Sequence, residues 1–165
     1  MLVTRGLKIV VALCIAGLAG LYGIQNLFNI GEAHGFVSLM LSQQERPAYP
    51  SGLIPPIGSA AIAWAILAII ILTELAAAIC ALIGAWSMFQ NRNASDEFSR
   101  SKHMAMLGAG LGVLIWFGYF QVIGGAGLQM WQAQAGQGPM TGSFQYAVLC
   151  FLALIFLAQA EPENI

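Results

Sequence analysis

Glu74 stands near the middle of a stretch, Ala60 to Met88, in which no other residue carries a charge. A carboxylate at the centre of a membrane helix costs about 2.5–3.5 kcal/mol on insertion scales, so an acid there marks a site by default. Three chemistries fit it: a hydrogen bond that locks two helices, a proton or ion relay, or contact with a ligand such as a quinone. Its expected partner is Tyr119. Side chains lean toward the N-terminus of their own helix, so in antiparallel neighbours the Glu74 carboxyl and the Tyr119 phenol converge. Gln121 and a stripe at the end of the first apolar segment are the second choices. That stripe is Tyr22, Gln25, Asn26 and Asn29, spaced i, i+3, i+4 and i+7 on one helix face. A relay needs a file of titratable groups, and none accompanies Glu74.

The rest of the chain must place these groups in lipid. Of 165 residues, 59% are hydrophobic and 8% charged, whereas a soluble domain carries about 25% charged residues. Hydropathy selects spans at about 7–28, 59–88, 104–129 and 143–160, each close to the ~20 residues that cross a bilayer. The expectation is an all-α integral membrane four-helix bundle, a single transmembrane domain over residues 1–165. Arg5 and Lys8, ahead of small residues from Ala16 to Gly20, imitate a secretory signal; the segment is read as a span. Arg5, Lys8, Arg92, Arg100 and Lys102 flank one side of the spans and Arg46 alone the other. The positive-inside rule then puts both termini in the cytoplasm, for a multi-pass protein of the bacterial inner membrane.

Packing signals run along two helices. Ala77, Ala78, Ala81 and Ala85 share the face of Glu74, and small residues mark close helix approach in membranes. Gly108 and Gly112 offer the matching face on the third span. Trp64 and Trp86 suit interfacial anchoring. Between spans one and two, Phe36 to Leu41 predicts a short interfacial helix before Pro47, Pro50, Pro55 and Pro56. Gln129 to Gln137, continuing into Gly138, Pro139 and Gly142, predicts a turn-rich surface segment. Span four, with Gln145 and Tyr146 at its outer end, is expected to pack or face lipid.

Catalytic signatures are absent. There is no Walker motif, dinucleotide fingerprint, Cys or His metal cluster or nucleophile elbow, so no catalytic residue, metal ligand or cofactor is assigned. His34 and His103 lie in connections, which removes the paired helix-borne histidines of a b-type haem. Cys14, Cys80 and Cys150 fall within spans as small apolar side chains. Expected partners are membrane lipids and other integral membrane subunits, and no nucleic acid.

Gln25 to Ser42, Glu74, and Met130-Trp131-Gln132 leading to Ser143-Phe144-Gln145-Tyr146 together resemble a bacterial family of predicted small integral membrane proteins, a domain of unknown function. The resemblance covers almost the whole chain and implies four spans, with no established activity. Where the family pattern carries a histidine and Ser-Met-Asp, this chain has Leu39 and Ser42-Gln43-Gln44. Where it carries Trp-Asn-Gly and an arginine, there are Gly136-Gln137-Gly138 and Gln145. These departures favour a non-catalytic accessory or structural subunit of a larger membrane complex, respiratory or photosynthetic in type. The rival functions are a small transporter or channel using Glu74, and a quinone- or lipid-contacting subunit with Trp116, Tyr119 and Glu74 around a pocket.

Overall fold

A computed structural model describes residues 2–161 as helices and connections. In chain order these are α1 (Leu2–Phe28), α2 (Ile30–Ser42), α3 (Ala60–Gln90), α4 (Ser95–Ser101), α5 (His103–Val113), a π-helical continuation of α5 (Leu114–Gly127), a short 3-10 turn (Met130–Gln132) and α6 (Gln134–Ala158). Four of the resulting rods are long and apolar enough to cross a bilayer. They form an antiparallel bundle in which α1 packs on α3, α3 on α5, and α5 with its π segment on α6. Both described ends of the chain therefore lie at one end of the bundle, the terminal end. The 43–58 connection and the Met130–Gln132 turn lie at the other, the loop end.

Local chemistry sets the helix limits. Ser59 caps α3 by accepting from the Ile62 amide at 3.5 Å. At its far end the Asn91 side chain donates to the Ser87 carbonyl at 2.9 Å, satisfying an acceptor that the helix leaves open. α4 carries Asp96 and Glu97 in its first turn and Arg100 in its last, matching the helix dipole. Asn29 interrupts α1 for one residue, and α2 follows with Val37, Met40 and Leu41 buried. The predicted short helix is thus present, seated with Val37 and Leu41 against Ala63, Leu67 and Ile71 of α3. His34 rides on this helix, its ring stacked on Trp64 at 4.2 Å.

Glycine decides how near the rods come. A Cβ on Gly84 would lie 2.2 Å from the backbone nitrogen of Ala105, and one on Gly108 would lie 2.7 Å from both the Ala77 carbonyl oxygen and the Ala81 nitrogen. The alanine stripe of α3 therefore meets Gly108 as the spacing predicts, and Ala85 packs with Ala105 one turn on. Gly112 does not belong to that contact. It faces α6, where its Cβ would sit 2.7 Å from Cys150 Sγ. The expectation for Gly112 is corrected because α5 leaves α3 and closes on α6 as it approaches the π segment.

The turn-rich reading of 129–142 holds only to Ala133. From Gln134 the chain is already helical, with Pro139 inside α6. Pro139 is the sixth residue of this helix, past the four N-terminal amides that lack an intrahelical partner, so it removes one hydrogen bond from the regular ladder. Gly136 permits the fold-back, since a Cβ there would lie 2.1 Å from the Met130 carbonyl oxygen. The extra turns bring Tyr146 into the bundle. Its hydroxyl pairs with that of Tyr22, and Trp116 meets both rings edge-on at 6.1 and 5.7 Å. Tyr146 is partly buried, packed against the core.

Candidate functional site

Glu74 is 2% exposed, inside the bundle and away from lipid. Its partner is Asn26, whose side-chain amide donates to Glu74 Oε2 at 2.9 Å. Gly23 makes room for the pair, because a Cβ there would crowd Glu74 Cβ at 3.3 Å. The partner thus comes from the span-one stripe. Tyr119 instead approaches Thr73, hydroxyl to hydroxyl at 3.5 Å, and Gln121 donates to the Met140 carbonyl and to Ser143 Oγ, each at 2.7 Å. The convergence argument assumes an α-helix at Tyr119, but Leu114–Gly127 is wound as a π-helix. Wider winding changes which face each side chain occupies, so both side chains leave the Glu74 contact.

π-Helical segments are rare, and the single-turn bulges that make up most of them are frequent at functional sites. This one forms a wall of a cavity of about 650 Å³ in the loop-end half of the bundle. Ile66, Leu67 and Ile70 of α3, Phe36, Val37 and Met40 of α2, and Phe120 and Ile123 of the π segment make its walls apolar. Tyr22, Gln25, Asn26, Asn29 and Tyr119 contribute a sparse polar edge, and Glu32 sits at the rim. The cavity opens sideways: Ile69 is 52% exposed and Ile123 51%. Of the residues expected around a pocket, Tyr119 lines it, while Glu74 lies behind Asn26 and Trp116 is 3% exposed in the aromatic core.

Beyond the cavity, Gln132 ties the loop end together. Its Oε1 accepts from the Ala48 and Tyr49 amides at 2.9 and 2.8 Å, and its Nε2 donates to Gln129 Oε1 at 2.7 Å. The sequence signals the polarity of this glutamine but not its reach across more than eighty residues. Among the described residues no three His, Cys, Asp or Glu side chains come together as a metal site.

A second polar centre lies at the terminal end. Lys8 and Lys102 donate to Glu161 Oε1 at 2.6 and 3.1 Å and both reach the Gln159 carbonyl at 2.8 Å. Arg5 approaches the other carboxylate oxygen at 3.6 Å and donates to the Arg92 carbonyl at 2.9 Å. Read as sequence, these charges give only an orientation. Here they join α1, the start of α5 and the chain after α6.

The profile of a family described as predicted small integral membrane proteins matches residues 4–160. The chain belongs to this family. It is an integral, multi-pass membrane protein, and the four apolar rods are its candidate spans. No curated protein and no solved structure matches it.

The hydrogen bond between Asn26 and Glu74 yields a first expected outcome. Glu74→Gln retains an oxygen acceptor for Asn26 and should shift stability by less than ~0.5 kcal/mol, whereas Asn26→Leu should cost about 1–2 kcal/mol. Unfolding midpoints in mild detergent measure both. Equal losses would show that the acid contributes something other than this bond.

Proposed function

We propose that this protein is a non-catalytic membrane protein that holds the hydrocarbon or isoprenoid chain of a lipidic molecule in its lateral cavity. The observation that carries this reading is the cavity itself. Its volume falls in the range of small-molecule sites, roughly 300–1,000 Å³, and its walls match a chain better than a polar solute. A π-helical wall and a sideways opening suit a ligand that enters from the bilayer.

The transport reading has less support. Glu74 is buried against Asn26, and among the described residues that amide is its one side-chain hydrogen-bond partner. The accessory-subunit reading has no feature of its own, because exposed side chains such as Leu72 and Ile79 are equally suited to lipid. The bacterial inner membrane, with both termini cytoplasmic, belongs to this proposal through the basic residues of the terminal end.

A quinone analogue with a diazirine on its isoprenoid chain tests the reading. Photolysis should label Phe36, Ile66 or Ile70, mapped by peptide mass spectrometry. Labels confined to the outer surface at Leu72, Ile79 or Phe151 would refute it.

A further inference from the structure

The polar edge of the lateral cavity lies deep in the bundle. Asn26 of α1 meets Glu74, and Tyr119 of the π segment meets the adjacent Thr73, so both elements bring polar groups to one level of α3. That level is the middle of the helix, about 20 Å of rise from its first residue, Ala60. It carries no positive charge. Among the described residues no Arg, Lys or His lines any part of the cavity, and the acids nearest to it are Glu32 at the rim and Glu74 behind Asn26. An anionic head would therefore lack a counter-charge at a depth where an unpaired charge is costly. A neutral head with hydrogen-bonding oxygens avoids that cost.

The hydrogen-bond inventory at this level says what the oxygens would meet. Thr73 Oγ1 gives its proton to the Ile69 carbonyl at 2.6 Å, so in its contact with Tyr119 the phenol is the donor. At 3.5 Å that contact is longer than an ordinary hydroxyl hydrogen bond, which leaves the Tyr119 proton available to a closer acceptor. On α1, Gln25 Oε1 accepts from Asn29 at 3.4 Å, while Gln25 Nε2 donates to no described residue. Both side chains line the cavity and neither is buried, Gln25 being exposed and Tyr119 partly so. Two donors on separate helices, without a cation, complement a neutral ring that carries two carbonyl oxygens.

We propose that the ligand of the lateral cavity is a prenyl quinone whose ring lies at the depth of Thr73 and Glu74. The Tyr119 hydroxyl and the Gln25 amide donate to its carbonyl oxygens. The chain runs along Phe36, Ile66 and Ile70 and continues into the bilayer through the opening beside Ile69 and Ile123. The assignment rests on the reading of the cavity as a chain site.

The test offers the purified protein four probes that share one diazirine-bearing prenyl chain and differ at the head: a benzoquinone, an alcohol, a phosphate, or none. The quinone should half-saturate cavity labelling at about tenfold lower concentration than any of the other three. Tyr119→Phe and Gln25→Leu should each raise that concentration about fivefold for the quinone and leave it unchanged for the headless probe, which also reports that the variant is folded. Equal half-saturation by all four probes, a phosphate that matches the quinone, or a quinone preference that survives both substitutions would overturn the head assignment while leaving the chain site standing. If a variant does not fold, the wild-type series alone decides by the same criteria. Absence of cavity labelling by every probe would overturn the chain site and this assignment together.

Discussion

Replacing Glu161 by alanine should destabilise the protein by about 3–5 kcal/mol, the penalty of leaving a buried ion pair without one partner. The reason is charge. Arg5, Lys8 and Lys102 are 3%, 1% and 4% exposed, and the Glu161 side chain is 2% exposed. Removing the carboxylate leaves three nearly buried cations facing one another, with the Gln159 carbonyl as the acceptor that Lys8 and Lys102 share and the Arg92 carbonyl as the one left to Arg5. Glu97→Ala, on an exposed face of α4, is the control and should stay within ~0.5 kcal/mol.

The same cluster predicts a pH dependence. Burial alone would raise the Glu161 carboxyl, but hydrogen bonds from Lys8 and Lys102 and their charges outweigh it and hold it below the usual carboxylate range. A depressed folded value means that the folded state binds fewer protons. Its stabilisation is therefore complete above the unfolded value, about 4.3, and is lost as pH falls through the lower folded value. Unfolding midpoints from pH 7 to pH 3 should fall steeply at the acid end in the native protein and less in Glu161→Gln. Parallel curves would remove Glu161 from the account.

The second large effect is expected at the α3–α5 contact. Gly84→Ala adds one methyl group against the Ala105 backbone, where 2.2 Å is available. Backbone cannot rotate away as a side chain can, so the helices must separate along their closest contact. Overpacking a fitted core costs typically 1–3 kcal/mol and occasionally more, and we expect Gly84→Ala near the top of that range. Gly108→Ala, against Ala77 and Ala81, should follow closely. Gly110→Ala, which meets nothing within 4 Å, should be near neutral. Between helices in lipid there is little hydrophobic drive, so lost packing is not repaid by burial elsewhere. Thermal unfolding in detergent would rank the three, and equal effects would contradict the close contact.

Most of the architecture was readable from composition and periodicity. A membrane span is a long-range average over some twenty residues, and four such averages survive local irregularity. The small-residue face at Ala77, Ala81 and Gly108 was readable for a related reason, since helical spacing alone puts it on one side. Glu74 was legible as buried because lipid leaves a lone acid few alternatives. Its partner was not. Asn26 belongs to the right stripe, but regular helical geometry points to Tyr119, and the chain there is π-wound. Nothing in Leu114 to Gly127 announces that winding. The early start of α6 was hidden by Pro139 and its neighbouring glycines, which as local signals argue for turns and are overridden by packing against Met130. Arg5, Lys8, Lys102 and Glu161 lie too far apart in sequence for spacing to unite them. The cavity belongs to the same class, because an empty volume is a property of several helices together.

The lateral cavity is the centre of this account, and the lipid the protein retains tests it most directly. Native mass spectrometry of protein extracted from membranes in mild detergent should find one lipidic molecule bound per chain. Ala33→Trp fills the cavity from α2, where Ala33 lines it, and should yield a folded protein without that mass. A wild-type chain that carries nothing, or a filled variant that retains the same molecule, would contradict the account.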